Sequence, residues 1–293
     1  MHTQIKKAVF PVAGYGTRFL PATKAYPKEM LPIIDKPLIQ YAAEEAVAAG
    51  CTELIFVTSH AKKAIEDHFD RNIALEQHLL QKQEYALIDL VNKIIPEHVT
   101  CVYIRQSQPQ GLGHAVLCAQ NLIQDEPFAV ILADDLIRTQ QQNCLQQLVA
   151  QYAQTNSSVI AVEKVAPIEV SNYGVVDFVQ QTATGGFIQQ IIEKPEPAAA
   201  PSNHAVVGRY VLNPQVFNCL REIYTNNPTT ELQLTDALAM LLKTEKIYAW
   251  QFNGERYDCG KKTEYFRAIL EHAVQDPEYK QILESVMEKL TCA

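Results

Sequence analysis

Near its amino terminus the chain carries Gly14-Tyr15-Gly16-Thr17-Arg18 directly after an apolar run, Lys7 to Ala13. Glycines let backbone amides come close to a ligand, and successive amides can form a nest for an anion. Arg18, Lys24 and Lys28 follow, three cations within eleven positions of a chain whose formal net charge is −8. An acidic protein that binds phosphate has to concentrate its cations locally, and this segment does so. The planar guanidinium of Arg18 suits phosphate oxygens, whereas the Lys28 ammonium acts as a point charge. Lys24 reads equally well as a phosphate cation or as a solvated loop charge. Two familiar phosphate motifs fail here. The dinucleotide pattern needs a third glycine where Phe19 stands, with a helix opening there, and Pro21 and Pro27 interrupt any such helix. The nucleotide-hydrolase loop needs Gly-Lys-Ser/Thr after its glycines, and that triplet does not follow.

A second group of residues ends the apolar run Phe128-Ala-Val-Ile-Leu-Ala with Asp134 and Asp135. A carboxylate at the C-terminal end of a buried strand sits where open α/β sheets bind ligands. Hard oxygen ligands suit Mg²⁺, which needs only one or two protein carboxylates beside phosphates and water. If the strand continues, Asp135 points away from Asp134 and caps the following turn.

These groups need a scaffold, and the pattern supplies one. Lys7 to Ala13, Glu53 to Ser59, Val99 to Arg105, Phe128 to Leu132 and Ser158 to Val162 read as strands, several of them apolar throughout. Helices are expected over Leu38 to Ala49, closed by Gly50, over Ala61 to Phe69, and over about His114 to Leu122. The alternation predicts an α/β protein with a right-handed, mostly parallel sheet covered by helices. Residues 70–95 read as a helical insertion beside the sheet or, equally, as an ordinary crossover helix ended by Pro96. Beyond Ala166 a hairpin is expected from Tyr173 to Val179 and Phe187 to Ile192, across Thr-Gly-Gly. A strand over His204 to Leu212, a helix over Pro214 to Tyr224 and a strand over Ile247 to Phe252 follow. Thr230 is placed to cap a helix over Glu231 to Lys243. Residues 263–293 form a helical extension broken near Pro277. Without repeats or linkers, residues 1–293 read as a single domain.

Composition narrows the function classes. The negative balance argues against a nucleic-acid binder. Seven cysteines are scattered with no CxxC pair, which suggests neither zinc nor a redox motif and fits reduced thiols in a cytoplasmic protein. No run of about 18 apolar residues is present that could span a membrane.

The segment AGYGTRFLPATKAYPKEMLPIIDKPLIQY closely resembles the signature of nucleoside-diphosphate-sugar pyrophosphorylases, specifically the bacterial-type UTP–glucose-1-phosphate uridylyltransferases. Matching segments recur in order along nearly the whole chain: Arg105-Gln106, Gly111 to Val116, Tyr173 to Val176, Glu193-Lys194-Pro195, Gly208-Arg209-Tyr210, Gln233 to Asp236 and Asp258-Cys259-Gly260. The resemblance implies a Rossmann-like, mixed sheet with helices on both faces. It implies an enzyme joining UTP and glucose 1-phosphate to give UDP-glucose and pyrophosphate, with Mg²⁺ held by Asp134 and Asp258. Arg18 and Lys28 then hold the triphosphate and the leaving pyrophosphate. Ala13, Gly14, Gly16, Thr17, Gln106 and Gly111 belong to the nucleotide half. Glu29 either accepts from the uracil N3–H or stands exposed as a partner of Lys28. Gly174 and Glu193 bind the sugar, and Lys194 its phosphate. For Gln233 to Asp236, a ligand role and a polar surface face stay open, and His114 needs no proton role. The family further implies a homo-oligomer, dimer or tetramer. The alternatives are the same chemistry on another nucleotide or hexose 1-phosphate and, more remotely, a non-catalytic nucleotide-sugar sensor.

Overall fold

The first strand, Lys7–Pro11, divides its side chains between two cores. Val9 packs with Ile55 and Val130 on one face of the sheet, while Phe10 packs with Phe56 and Ile131 on the other. Alternation of side chains across a pleated strand makes both faces apolar, so both must be covered. The computed structural model describes residues 4–291, and over these the sheet has nine strands. Their order is Thr100–Arg105, Glu53–Thr58, Lys7–Pro11, Phe128–Ile131, His204–Leu212, Ser158–Lys164, Ile247–Gln251, Gly185–Glu193 and Gly174–Phe178. The first four are mutually parallel. His204–Leu212 runs antiparallel to both neighbours and makes the sheet mixed. The expected hairpin is present as Gly174–Phe178 against Gly185–Glu193. Its outer strand also pairs with His204 and Ala205, so the sheet curls back on itself.

One face is covered by the helices Leu112–Cys118, Val216–Asn226 and Leu234–Leu241, the other by Leu38–Ala48, Lys63–Phe69 and Cys144–Thr155. The Leu38–Ala48 helix stops as expected at Gly50, whose φ is 98°. Gly50 donates to Val47 O (2.9 Å) and Cys51 to Ala46 O (3.0 Å), the paired bonds of a left-handed C-terminal cap. Helix Cys144–Thr155 starts with a reciprocal cap between Asn143 and Gln146. Two helices, Ile73–Gln81 and Tyr85–Asn92, occupy most of residues 70–95, and Lys262–Ala273 and Pro277–Thr291 end the described chain.

Two expectations change. Thr230 caps nothing: its hydroxyl donates to Asn227 O, and the helix begins only at Leu234. The intervening residues run extended because Leu232 donates to Gln110 O and accepts from Gly113 N, both at 2.8 Å. That pairing takes the backbone groups a first helical turn would use. The helix expected over His114 to Leu122 is instead Leu112–Cys118 followed by Gln120–Ile123. The sequence also gave no sign of a two-stranded ribbon, Asp135–Arg138 antiparallel to Glu255–Asp258, in which Asp135 faces Asp258. This ribbon positions the carboxylates.

Candidate active site

The strands Lys7–Pro11 and Phe128–Ile131 lie side by side and parallel, so the loops leaving their C-terminal ends open on the same edge. Two cavities meet there. One, of about 360 Å³, is lined by Ala13, Gly14, Tyr15, Lys28, Gln106, Gly111, Asp134 and Glu231 among others. Its neighbour, about 240 Å³, includes Arg18, Asp134, Tyr173, Gly174, Glu193, Lys194, Gln233 and Asp258. Asp134 lines both.

The glycine turn does not open a helix. Gly16 sits at φ 66°, and short 3-10 turns follow over Thr17–Phe19, Ala22–Lys24 and Lys28–Met30. Thr23 Oγ1 donates to Gly16 O at 2.7 Å and folds the loop back on itself. This return brings Lys28 to Asp134, with Nζ to Oδ2 at 2.5 Å. Burial opposes the charge on Lys28, but Asp134 and Glu29 outweigh it and raise its pKa. Burial likewise acts against an ionised Asp134, yet the Lys28 ammonium holds its pKa below the ordinary carboxylate value.

Asp258 comes to the same point from the ribbon. Cys259 N donates to Asp134 O at 2.8 Å and ties the two strand ends together. A Cβ on Gly260 would lie 3.0 Å from Asp258 Oδ1, 3.2 Å from Asp134 Oδ2 and 3.4 Å from Arg18 Nη1. Two carboxylates and a guanidinium therefore converge on one small space. No cluster of three or more His, Cys, Asp or Glu side chains with metal-holding geometry occurs among the described residues. Two hard-oxygen donors beside Arg18 and Lys28 fit the kind of set that Mg²⁺ takes when substrate oxygens and water complete its shell.

On the far side, Glu193 ends its strand, and Lys194 adopts φ 45°, a left-handed conformation that few non-glycine residues take. Its amide donates to Tyr173 O at 2.9 Å, and its ammonium lies 3.5 Å from Glu193 Oε1. Tyr173 in turn donates its hydroxyl to Asp258 Oδ2 (3.2 Å) and accepts from Lys261 Nζ (2.9 Å).

Residues 7–275 match the family described as Nucleotidyl transferase. The chain belongs to that family. The UTP–glucose-1-phosphate uridylyltransferase of Bacillus subtilis (strain 168) is 46% identical over 287 residues, 98% of this chain and 97% of that protein. Among solved structures, a UDP-glucose pyrophosphorylase from Acinetobacter baumannii superposes with a TM-score of 0.90 at 43% identity, covering 98% of this chain and 99% of that one. A UDP-glucose pyrophosphorylase complexed with UDP-glucose gives a TM-score of 0.84 at 45% identity over 93% of this chain and 100% of that one. The resemblance read from the ordered motifs is therefore borne out: this is a nucleotidyltransferase, similar in sequence and fold to uridylyltransferases of that type.

Most of the residues singled out from the sequence meet at the two cavities, and some do not. Gly16 and Thr17 line neither one and shape the turn instead. Glu29 is neither exposed nor in the pocket. It is 2% exposed behind Lys28 and accepts from Lys62 Nζ at 2.8 Å, because it sits in the middle of the Lys28–Met30 turn, on the face that points inward with Met30. Burial pushes its pKa up in spite of Lys28 and Lys62. Asp135 caps no turn. Its Oδ2 accepts from Gly208 N (2.7 Å) and its Oδ1 from Arg256 Nε (2.8 Å). Gln106 is held by its amide, which donates to Gly111 O (3.1 Å) and meets His114 Nδ1 (2.9 Å). Burial lowers the pKa of His114, which suits a neutral ring accepting that bond. Gly111 has φ 101°, and a Cβ there would stand 2.5 Å from Leu232 O, so its close approach is to the extended 231–233 segment. Glu231, Tyr173 and Arg256 escaped the sequence reading. Of these, only Tyr173 carried a signal, as the first residue of a matched segment.

Proposed function

We propose that the chain joins UTP and glucose 1-phosphate to give UDP-glucose and pyrophosphate. The observation that carries this reading is that one carboxylate, Asp134, borders both a cavity headed by the glycine turn and a cavity headed by Glu193 and Lys194. A transferase that joins two substrates needs such a shared wall. The names of the relatives, including a UTP-bound pyrophosphorylase and one complexed with UDP-glucose, support the same substrates.

In this reading Ala13, Gly14, Gln106 and Gly111 receive the nucleobase end, where directional bonds select uracil. Arg18 and Lys28 hold the triphosphate and then the leaving pyrophosphate. Gly174 and Glu193 bind glucose hydroxyls, and Lys194 holds the sugar phosphate. A sugar-phosphate oxygen attacks the α-phosphorus in line; the new P–O bond forms as the bond to the β-phosphate oxygen breaks and pyrophosphate departs. Such transfers depend on alignment and charge neutralisation more than on protein covalency. Asp134 and Asp258 would hold Mg²⁺, which when bound supplies positive charge to the phosphate oxygens. No side chain is asked to act as nucleophile.

The proposal extends to a cytoplasmic homo-oligomer, dimer or tetramer. The six cysteines among the described residues are all free, which fits a reducing compartment. No described helix is long and apolar enough to cross a membrane. Ile282 and Leu290 on helix Pro277–Thr291 stand 55% and 69% exposed, apolar surface that subunit contacts would cover. The direct test is pyrophosphate release across the nucleoside triphosphates and several hexose 1-phosphates. UTP with glucose 1-phosphate should be the best pair; a better pair would replace the substrates and keep the chemistry.

A further inference from the structure

The matched segment Gly208-Arg209-Tyr210 has no part in the function just proposed. Arg209 lies on the sheet face away from the sugar cavity, which its neighbours Gly208 and Tyr210 line. Its side chain is 2% exposed, and the guanidinium spends all five of its N–H donors. Nη1 donates to Leu132 O and to Gly208 O, each at 3.0 Å. Nη2 donates to Asp135 O and to Glu45 Oε2, each at 2.8 Å, and Nε donates to the same carboxylate oxygen at 3.0 Å. Two of those carbonyls, Leu132 and Asp135, flank Asp134 in the chain.

The other side of Glu45 is equally tied. Its Oε1 accepts from Leu145 N at 3.0 Å, at the N-terminus of helix Cys144–Thr155, where a carboxylate also meets the positive end of the helix dipole. Gly208 adds two bonds to the same turn: its amide donates to Asp135 Oδ2 at 2.7 Å, and its carbonyl accepts from Leu132 N at 2.9 Å. The turn that projects Asp134 is thus anchored to strand His204–Leu212 and, through Glu45, to two helices.

We propose that Arg209 is a positioning residue that fixes the Leu132–Asp135 turn, so that the Asp134 carboxylate is presented to the bound metal and phosphates. The inference rests on the reading of Asp134 as a metal-holding residue. A lysine cannot replace this arginine in the role, because an ammonium donates from one point and does not span two carbonyls and a carboxylate. The charge itself can be kept, since a cavity of about 250 Å³ borders Arg209 and Glu45 and leaves room to hydrate an ammonium.

The test is Arg209→Lys beside Glu45→Gln and Asp134→Asn, each checked for fold by circular dichroism. Each is assayed for kcat, for KM of UTP, and for Mn²⁺ binding in the presence of UTP by the loss of free-ion EPR signal. For folded Arg209→Lys and Glu45→Gln, Mn²⁺ affinity and kcat should fall about 10–100-fold while KM for UTP stays within about twofold. Unchanged Mn²⁺ binding and kcat in folded Arg209→Lys would overturn the proposal. So would loss of the folded state in both variants, which would make the cluster a core ion pair and nothing more. If Asp134→Asn itself binds Mn²⁺ normally, the metal reading fails first, and the two failures are told apart.

Discussion

The cationic turn and the carboxylate edge face each other across one site and are built in opposite ways. The side chains of Arg18 and Lys24 are exposed and have no hydrogen-bond or ion-pair partner among the described residues, and Gly14 stands open with nothing within 4 Å of where a Cβ would be. The carboxylate edge is the reverse. Asp135 is 6% exposed between Gly208 and Arg256, Asp258 is bonded to Tyr173 and Gly260, and the ribbon sets the two strand ends in register. In the proposed reaction the Arg18 charge, which follows the substrate from triphosphate to pyrophosphate, is on a side chain free to rearrange, whereas Lys28 of the same turn is already paired with Asp134. Charge that must hold its position is fixed by partners in advance, which lowers the reorganisation needed during reaction.

This contrast makes the carboxylate edge the place where one substitution should cost most. Asp134→Ala should reduce turnover by at least about 10²–10³-fold, the range for losing one preorganised electrostatic group, with the fold intact. Near-normal kcat would remove Asp134 from the reaction. Arg18→Ala should cost less, about 10–100-fold in kcat/KM, since a charge-assisted hydrogen bond is worth about 1.5–3 kcal/mol. Arg18→Lys should recover only part of that loss, because the ammonium keeps the charge and gives up the planar fork. Full recovery would mean that Arg18 acts through charge alone.

The same contrast explains what the sequence made legible. Strands whose side chains alternate between two apolar cores, such as Lys7–Pro11, announce themselves by composition, and so does a helix stopped by Gly50. Single residues proposed to touch ligand, such as Arg18, Lys194 and Asp258, stood out because they fall in matched segments. What stayed hidden is what depends on contacts distant in sequence. The ribbon joining Asp135–Arg138 to Glu255–Asp258 has no local pattern strong enough to announce it. The Glu29–Lys62 pair spans 33 positions, and nothing local marks the two residues as partners: Glu29 reads as a uracil acceptor or an exposed partner of Lys28 until the chain is folded. The extended run before Leu234 follows from its pairing with Gln110 and Gly113, which no capping rule contains.

Lys194 tests the sugar side of the comparison. Its side chain is 56% exposed and its ion-pair partner, Glu193, is at 3.5 Å, so this ion pair contributes little to stability. Lys194→Ala should leave thermal stability unchanged and raise KM for glucose 1-phosphate about tenfold, with KM for UTP within about twofold. Steady-state kinetics with each substrate varied in turn separates the cases. An equal rise for both would make Lys194 a backbone element, held in its left-handed conformation to turn the chain away from Glu193.

The smallest effect should come from two glycines placed on either side of the same cavity. A Cβ at Gly111 would stand 2.5 Å from Leu232 O with φ at 101°, so Gly111→Ala must displace backbone. Strain and overpacking of this kind cost about 1–3 kcal/mol, visible as a lowered Tm. At Gly14 a Cβ meets no protein atom within 4 Å, so Gly14→Ala should leave Tm unchanged. Its cost should appear only with nucleotide present, as a rise of a few-fold in KM for UTP, because the added methyl enters the space a phosphate or base needs. Calorimetry on the two free proteins and UTP titration of both decide the matter. A lowered Tm for Gly14→Ala would show that the cationic turn is held as tightly as the carboxylate edge, and the division of labour between them would then fall.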